Sequence, residues 1–295
     1  MRRAGYNENI MQDRTTSISF ELFPPKTEKG MDKLKTTVRE LQTLNPEYFS
    51  VTYGAGGSTQ DRTFATVDWL REQDINTAPH LSCIGADKDE IAEILERYRS
   101  QGIGRIVALR GDLPSGSGLG GLGELNYANE LVSFIRERFG DHFHIEVAAY
   151  PEFHPQAENA GADLDNFARK VHAGANGGIT QYFYNADAYW RFLDDCRARG
   201  VDIPIVPGIM PITNYSSLAR FSDACGAEIP RWIRKRLEAW GDDLDAIRDF
   251  GTEVVSQLCR QLLDGGAPGL HFYTMNQSGP VTDICNNLGI RAPAT

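Results

Sequence analysis

Several common signatures of function are missing from this 295-residue chain. No HExxH, GxxxxGK[ST] or GxSxG motif occurs, which excludes the familiar zinc-protease, phosphate-loop and nucleophile-elbow enzymes. No GxGxxG motif follows the first predicted strand, so a dinucleotide site of the doubly wound type would lack its glycine turn there. The chemistry of the chain must therefore lie in other residues.

Positive charge and paired cysteines are also scarce. The chain has 30 Lys and Arg against 40 Asp and Glu, so neither nucleic acid nor a membrane surface is an expected partner. The five cysteines form no CxxC pair, which argues against a disulfide framework or a zinc site and favours a cytoplasmic location. Residues 1–15 are polar and lack an apolar core, so we expect a flexible N-terminal arm and not a signal peptide.

The remaining residues, 16–295, alternate strand-like and helix-like segments. Eight apolar or β-branched runs predict strands over 17–23, 48–53, 77–83, 105–109, 144–150, 179–184, 203–206 and 269–273. Helical spacing in the gaps predicts helices over 32–44, 63–73, 88–101, 127–139, 163–173, 186–199 and 245–264. This alternation predicts an α/β fold, a (β/α)8 TIM barrel in a single domain. An open, doubly wound sheet uses the same units and is the alternative.

Glu21 stands out because it lies inside the apolar run 18–23, which stops at Pro24. A carboxylate there must be paired, solvated at a cleft or kept protonated, since burying a lone charge is costly. Glu21 is therefore either a catalytic acid or a residue that points to water from an edge strand.

Polar residues recur where the predicted strands end, which is the catalytic face of such a barrel. The members of this set are Glu21, Thr52, Tyr53, His80, Arg110, Gly111, Asp112, Tyr150, Glu152, His154 and Gln181. One polar residue in a strand is usually a satisfied core group, but here the pattern recurs on six strands. No paired spacing of His, Asp or Glu supports a metal, so none is expected.

Glu21 and Asp112 are the predicted catalytic pair. Two carboxyl groups in one pocket tend to differ in protonation, so that one serves as general acid and the other as a charged stabiliser. The apolar neighbours of Glu21 favour its protonated form, whereas Asp112 lies close to Arg110. An acid beside an anion suits a reaction with a cationic intermediate, such as an iminium.

Two other segments allow two interpretations each. Helical spacing brings Asp163, Asn166 and Lys170 onto one side of a helix, which either is solvated or binds a ribityl or ribose chain and a phosphate. The glycine-rich segment 114–123 is either a flexible connector or a lid.

Seven stretches in order make the chain resemble the methylenetetrahydrofolate reductase family, in its short bacterial form, over about residues 17–291. They are 19–26 (SFELFPPK), 50–55 (SVTYGA), 79–83 (PHLSC), 108–114 (ALRGDLP), 149–155 (AYPEFHP), 179–183 (ITQYF) and 271–276 (HFYTMN). Several of these stretches are highly specific, and their shared order leaves little room for another family.

The resemblance implies a barrel that binds FAD and reduces 5,10-methylenetetrahydrofolate to 5-methyltetrahydrofolate with NADH or NADPH, the two substrates taking turns. By similarity, Glu21 protonates folate N10 and Asp112 stabilises the resulting cation. Gln181 would contact folate and nicotinamide, and Phe221 would pack against either substrate. Positions similar to the FAD contacts of the family are Thr52, Tyr53, Ala55, His80, Arg110, Gly111, Asp112, Tyr127, Tyr150, His154, Ala157, Asp163, Asn166, Arg169 and Lys170.

Two positions depart from the family pattern. Gln277 stands where well-known bacterial members carry arginine, and Ser217 where some carry glutamine, so substrate contacts are expected to differ there. A homo-oligomer is expected. Control by S-adenosylmethionine is not expected, because nothing after Thr295 corresponds to the regulatory domain of longer members. Two other functions stay open: a flavin-independent pterin-binding methyltransferase or lyase, and a flavin- or folate-binding protein without turnover.

Overall fold

The computed structural model describes residues 16–53, 58–111 and 123–291. The strands are β1 Ser17–Leu22, β2 Tyr48–Val51, β3 Thr77–Ser82, β4 Arg105–Leu109, β5 His144–Ala149, β6 Gly177–Thr180, β7 Ile205–Val206, β8 Gly208–Ile209 and β9 Gly269–Tyr273. The helices are α1 Glu28–Gln42, α2 Ser58–Glu72, α3 Lys88–Ser100, α4 Ala128–Phe139, α5 Ala160–His172, α6 Ala186–Arg197, α7 Tyr215–Cys225, α8 Arg231–Trp240, α9 Leu244–Asp264 and α10 Gly279–Asn287. Ala55, Asp112, the expected N-terminal arm and nearly all of the glycine-rich segment lie outside the described residues.

The strands form a nearly closed parallel barrel in the order β7-β6-β5-β4-β3-β2-β1-β9-β8. β1 pairs with β2 on one side and with β9 on the other, so the first and the last strand of the chain are neighbours. The predicted (β/α)8 barrel is therefore confirmed, and the doubly wound alternative is wrong. The edge-strand interpretation of Glu21 is also wrong, because both sides of β1 are paired.

The seventh strand of the barrel is split in two at Pro207. β7 pairs with β6, while β8 pairs with β9. Proline has no N–H to donate to a ladder, and the next amide, Gly208 N, donates to Thr180 Oγ1 at 2.9 Å. The nine strands thus occupy the eight barrel positions that the sequence predicted.

The barrel strands alternate between an apolar outer side and a polar interior. On β1, Ile18, Phe20 and Leu22 are buried in the apolar core, and the Phe20 ring lies 5.5 Å from that of Phe49 on β2. Ser19 and Glu21 point the other way, into the barrel. The interior is lined by further buried polar side chains, namely Tyr48, Ser50, His80, Glu146 and His271.

Most predicted segment ends differ from the observed ones by a few residues, for local reasons. α1 and α5 begin earlier than predicted, because Thr27 and Asn159 cap them by accepting hydrogen bonds from Gly30 N and Ala162 N. The sixth strand ends at Thr180 and not at 184. The tyrosines that follow are buried by tertiary contacts, such as the bond from Tyr184 Oη to Met210 O at 3.2 Å. Within the described ranges, no helix has the length and apolar character needed to cross a membrane.

Candidate functional site

Glu21 lies at the carboxyl end of β1, inside the barrel, and is only 7% exposed. Its Oε2 lies 3.5 Å from His80 Nε2 on β3 and 3.9 Å from His271 Nε2 on β9. In the barrel, β9 pairs with β1, and β3 lies one strand further away on the other side of β1, beyond β2. We call Glu21, His80 and His271 the acid–imidazole cluster.

The imidazoles of this cluster are buried, and each has a ring nitrogen without a hydrogen-bond partner among the described residues. Burial lowers the pKa of His80, an effect that the Glu21 carboxylate opposes and His271 reinforces, so His80 is neutral at neutral pH. The Nε2 atoms of His80 and His271 have no hydrogen-bond partner within the described parts of the chain. Because an unpaired buried polar atom costs free energy, this arrangement is typical of a site that does chemistry.

The turn after β9 holds the backbone around Glu21. Thr274 Oγ1 donates to Glu21 O at 2.6 Å, and the side-chain amide of Asn276 bonds both the N–H and the C=O of Phe23. Asn276 N in turn donates to Thr274 Oγ1 at 3.1 Å. Sequence reasoning did not assign this role to Thr274 or Asn276, although both lie in the stretch 271–276.

Tyr273 forms the neighbouring wall of the cluster. Its hydroxyl donates to Thr180 O at 2.7 Å, which ties β9 to β6 across the split strand. Burial raises the Tyr273 pKa well above its ordinary value, and the Glu21 charge adds to this effect. Tyr273 is therefore a neutral phenol beside the acid.

Arg110 and Gly111 lie directly after β4, at the same end of the barrel. Gly111 has a φ of +90°, and a Cβ there would lie 1.8 Å from Ser82 Oγ, so only glycine fits. Ser82 Oγ donates to Arg110 O at 2.9 Å, which joins the ends of β3 and β4. Asp112, the predicted partner of Glu21, follows immediately but lies outside the described residues.

The loop after β5 brings several predicted cofactor residues together. The rings of Tyr150 and His154 lie 4.6 Å apart, and Ala157 N donates to His154 O at 2.9 Å. Asp163 Oδ2 accepts a hydrogen bond from His154 N at 2.9 Å, so Asp163 holds this loop against α5. The Arg110 guanidinium reaches the same loop through a hydrogen bond to Gln156.

The predicted polar face of α5 divides into two parts. Lys170 Nζ donates to Ala148 O on β5, and burial lowers the Lys170 pKa to about 8, with Asp163 opposing the shift. Asn166 and Arg169 are exposed and hydrogen-bonded to each other. Asn166 and Arg169 are thus at the surface of α5, while Asp163 and Lys170 pack towards the strand ends.

Thr52, Tyr53 and Gln181 also lie at the strand ends. Thr52 N donates to Leu22 O at 3.0 Å, and Tyr53 Oη accepts from Gln60 Nε2 at 2.7 Å. Gln181 continues β6 through a 2.7 Å hydrogen bond from its N to Ala149 O. All three residues are half-buried.

Four predicted residues lie farther out, on the helices and turns around the barrel. Tyr127 precedes α4 and is 57% exposed, whereas Phe221 on α7 is 38% exposed and lies under the Arg220 guanidinium. Ser217 lies in the first turn of α7, where its N donates to Asn214 Oδ1 at 2.8 Å. Gln277 N donates to Thr274 O, directly after the turn that holds Glu21. No group of three or more His, Cys, Asp or Glu that could bind a metal occurs in the described ranges.

The fold and this site define a (β/α)8-barrel enzyme with a buried carboxyl group at the carboxyl ends of its strands. Residues 7–289 match the family model "Methylenetetrahydrofolate reductase". The chain is 40% identical to the 5,10-methylenetetrahydrofolate reductase of Escherichia coli K12 over 276 residues, which are 93% of this chain and 91% of that protein. The chain therefore belongs to the methylenetetrahydrofolate reductase family, and it is an oxidoreductase.

Two further comparisons concern the family and the fold. "Methylenetetrahydrofolate reductase (NADH) 1" of Arabidopsis thaliana is 37% identical over 295 residues, which are 96% of this chain and 50% of the plant protein. Among solved structures, an uncharacterized protein from Clostridium thermocellum that binds two copies of 5-methyl-5,6,7,8-tetrahydrofolic acid has a TM-score of 0.67 at 18% identity. That match covers 94% of this chain and 95% of the other, and it supports the barrel fold.

Proposed function

We propose that this protein reduces 5,10-methylenetetrahydrofolate to 5-methyltetrahydrofolate, with FAD as cofactor and NADH or NADPH as reductant, the substrates taking turns at one site. The observation that carries the proposal is the buried Glu21 carboxyl group beside two imidazoles, at the barrel face where such enzymes do chemistry. The NADH-named plant relative supports the reductant, and the folate-binding structural neighbour supports the substrate. The cytoplasmic location and the homo-oligomer stay predictions.

The residues at the strand ends fit a flavin dinucleotide. Arg110 and Lys170 are cations at the same face, and Arg169 is exposed nearby on α5, as a diphosphate requires. Asp163 and Asn166 would hydrogen-bond the ribityl or ribose hydroxyls. The unpaired Nε2 of His80 offers a further polar contact within the barrel mouth. When bound, FAD supplies the hydride transfer between the nicotinamide and the folate.

The role of Glu21 follows from the change that folate must undergo. Proton donation from Glu21 to folate N10 breaks the bond between N10 and the bridging carbon, and the N5 lone pair then forms an iminium with that carbon. Asp112 would stabilise this cation by its negative charge. The proton on N10 and one hydride on the carbon together complete the two-electron reduction.

Replacing Glu21 by Gln separates the two half-reactions. We expect flavin reduction by NADH to stay within about twofold of wild type, while reoxidation by methylenetetrahydrofolate slows about 10²- to 10⁴-fold, the usual value of a general acid. Stopped-flow flavin absorbance measures both rates. Glu96→Gln, an exposed change on α3, is the matched control.

Two results would contradict the proposal. An equal loss in both half-reactions of Glu21→Gln would show that Glu21 does not act as the folate proton donor. A colourless protein that cannot be reconstituted with FAD would favour the flavin-independent methyltransferase or lyase. Asp112→Asn provides a second test, since we expect it to slow the folate half-reaction as well.

A further inference from the structure

A series of polar side chains runs through the barrel interior and ends at Glu21. His271 is fully buried on β9, and its Nδ1 lies 2.7 Å from Ser19 Oγ on β1. The buried phenol of Tyr48 on β2 also interacts with Ser19. The Tyr48 ring stacks against His271 with centroids 6.2 Å apart, and the Arg105 guanidinium covers it at 4.5 Å. We call Tyr48, Ser19 and His271 the interior chain.

One arrangement of protons fits the hydrogen bond between Ser19 and His271. Burial raises the pKa of the Tyr48 phenol, an effect that Ser19 opposes only in part, so Tyr48 keeps its proton beside Ser19. The Ser19 hydroxyl then donates to His271 Nδ1, which leaves the imidazole proton on Nε2. That nitrogen faces Glu21 Oε2, and it has no other partner in the described part of the protein. The Ser19 hydroxyl and the His271 Nε2–H therefore both point towards the acid.

The other charged and titratable groups near Glu21 are engaged elsewhere or differ from His271 in their hydrogen bonding. Tyr273 uses its hydroxyl to bond Thr180 O. Arg105 is bound to the carboxylates of Glu47 and Glu146 at the opposite end of the interior. His80 Nε2 is closer to Glu21, at 3.5 Å, but within the described residues no hydrogen bond fixes the tautomer of His80 as Ser19 does for His271.

We propose that His271 is a positioning residue for Glu21, and that Ser19 selects the His271 tautomer whose Nε2–H meets the carboxyl oxygen. The 3.9 Å separation is longer than a hydrogen bond, and such contacts tighten when substrate fills a site. The inference rests on the proposed proton-donor role of Glu21 and deepens it. His271 should therefore affect the folate half-reaction alone, and only through Glu21.

Two replacements of His271 distinguish positioning from packing. The amide of His271→Asn can reproduce Nδ1 towards Ser19 but does not reach Glu21, whereas that of His271→Gln reaches the place of Nε2. We expect His271→Asn to keep flavin reduction by NADH and to slow the folate half-reaction about 10- to 100-fold, as misplaced catalytic groups do. His271→Gln should recover a large part of this loss.

The pH profile of the folate half-reaction gives a second readout. In His271→Asn its midpoint should move to higher pH, because the N–H that favours the charged carboxylate is lost. His142→Asn is the matched control: His142 is exposed on the loop between α4 and β5, with its Nε2 3.3 Å from Ile103 O. Neither the rate nor the midpoint should change in the control.

The double variant of Glu21→Gln and His271→Asn tests whether His271 acts through Glu21. In Glu21→Gln, adding His271→Asn should cause no further loss, since residues that act as one unit are not additive. A fully additive loss, or an unchanged folate half-reaction in His271→Asn, would overturn the positioning role while leaving the proposed function intact. If Glu21→Gln itself spares the folate half-reaction, the proton-donor role fails and the inference fails with it. If His271→Asn does not fold, Ser19→Ala replaces it, with the same losses expected.

Discussion

The side chain of Asn276 bonds both backbone polar groups of Phe23: Oδ1 accepts from Phe23 N at 2.9 Å, and Nδ2 donates to Phe23 O at 2.8 Å. These residues are 253 positions apart in the sequence. Together with the bond from Thr274 to Glu21 O, they hold the end of β1 just before two prolines that cannot donate hydrogen bonds. The position of the candidate acid thus depends on the turn after the last strand.

Replacing Asn276 by Ala should lower the free energy of unfolding by about 2–4 kcal/mol. About 1 kcal/mol belongs to each lost hydrogen bond, and about 1 kcal/mol more to placing alanine at a φ of 54°. Urea unfolding measures the change. Asn45→Ala is the matched control, because Asn45 is exposed and has the same φ of 54°. Equal losses in the two variants would show that the Phe23 bonds contribute nothing.

Replacing Arg105 by Met should destabilise the protein by about 3–5 kcal/mol, because it leaves a buried carboxylate without its main partner. Arg105 Nη1 lies 2.8 Å from Glu146 Oε1, and Glu146 is 3% exposed. Arg97→Met, which breaks an exposed pair with Asp68, should cost less than about 1 kcal/mol. Denaturant unfolding compares the two.

A double variant checks the cause of that loss. Adding Glu146→Gln to Arg105→Met removes the stranded charge and should restore part of the stability. If the double variant is as unstable as the sum of both single variants, the loss comes from packing and not from the unpaired charge.

FAD binding should weaken as the pH rises through about 8, where Lys170 loses its proton. The neutral amine no longer attracts a diphosphate, so the affinity of the flavin-free protein should be lower at pH 9.5 than at pH 7. Fluorescence titration with FAD measures this change. Lys170→Met should bind weakly at both pH values, and the same pH dependence in that variant would contradict the assignment.

The same shift has a defined sign for stability. The folded-state pKa of Lys170 lies below its ordinary value of 10.5, so the unfolded chain binds more protons between about pH 8 and 10.5. Lys170 should therefore make the flavin-free protein more stable as the pH rises through that window. Lys170→Met should remove this slope from a series of unfolding curves.

Gly111→Ala should abolish FAD retention and destabilise the protein by more than about 2 kcal/mol. Its Cβ would overlap Ser82 Oγ at a φ that alanine rarely adopts. Gly140→Ala is the control, since Gly140 also has a positive φ but its Cβ would meet no atom within 4 Å. Flavin absorbance after purification and thermal unfolding give the readouts. Similar behaviour of both variants would mean that the contact with Ser82 is unimportant.

Much of the fold could be predicted from local sequence patterns. The alternation of polar and apolar residues in a strand, and the spacing of apolar residues in a helix, are properties of each segment by itself. Ser17–Leu22 shows a polar residue at every second position, and in the structure Glu21 lies on the side of β1 opposite to Phe20. The split at Pro207 and the end of β6 at Thr180 were not predicted, because they depend on pairing partners elsewhere in the chain.

In the candidate site, too, some features follow from the sequence and others only from the tertiary structure. By itself, the sequence determined the kind of fold, the family and the residue types at the strand ends, since each of these is a property of contiguous segments. Only the tertiary structure decided that His271 lies beside Glu21, that Ser19 and Tyr48 stand behind it, and that Asn276 holds Phe23. Those relationships arise because barrel closure pairs β1 with β9, and no local pattern encodes which distant side chains will then meet.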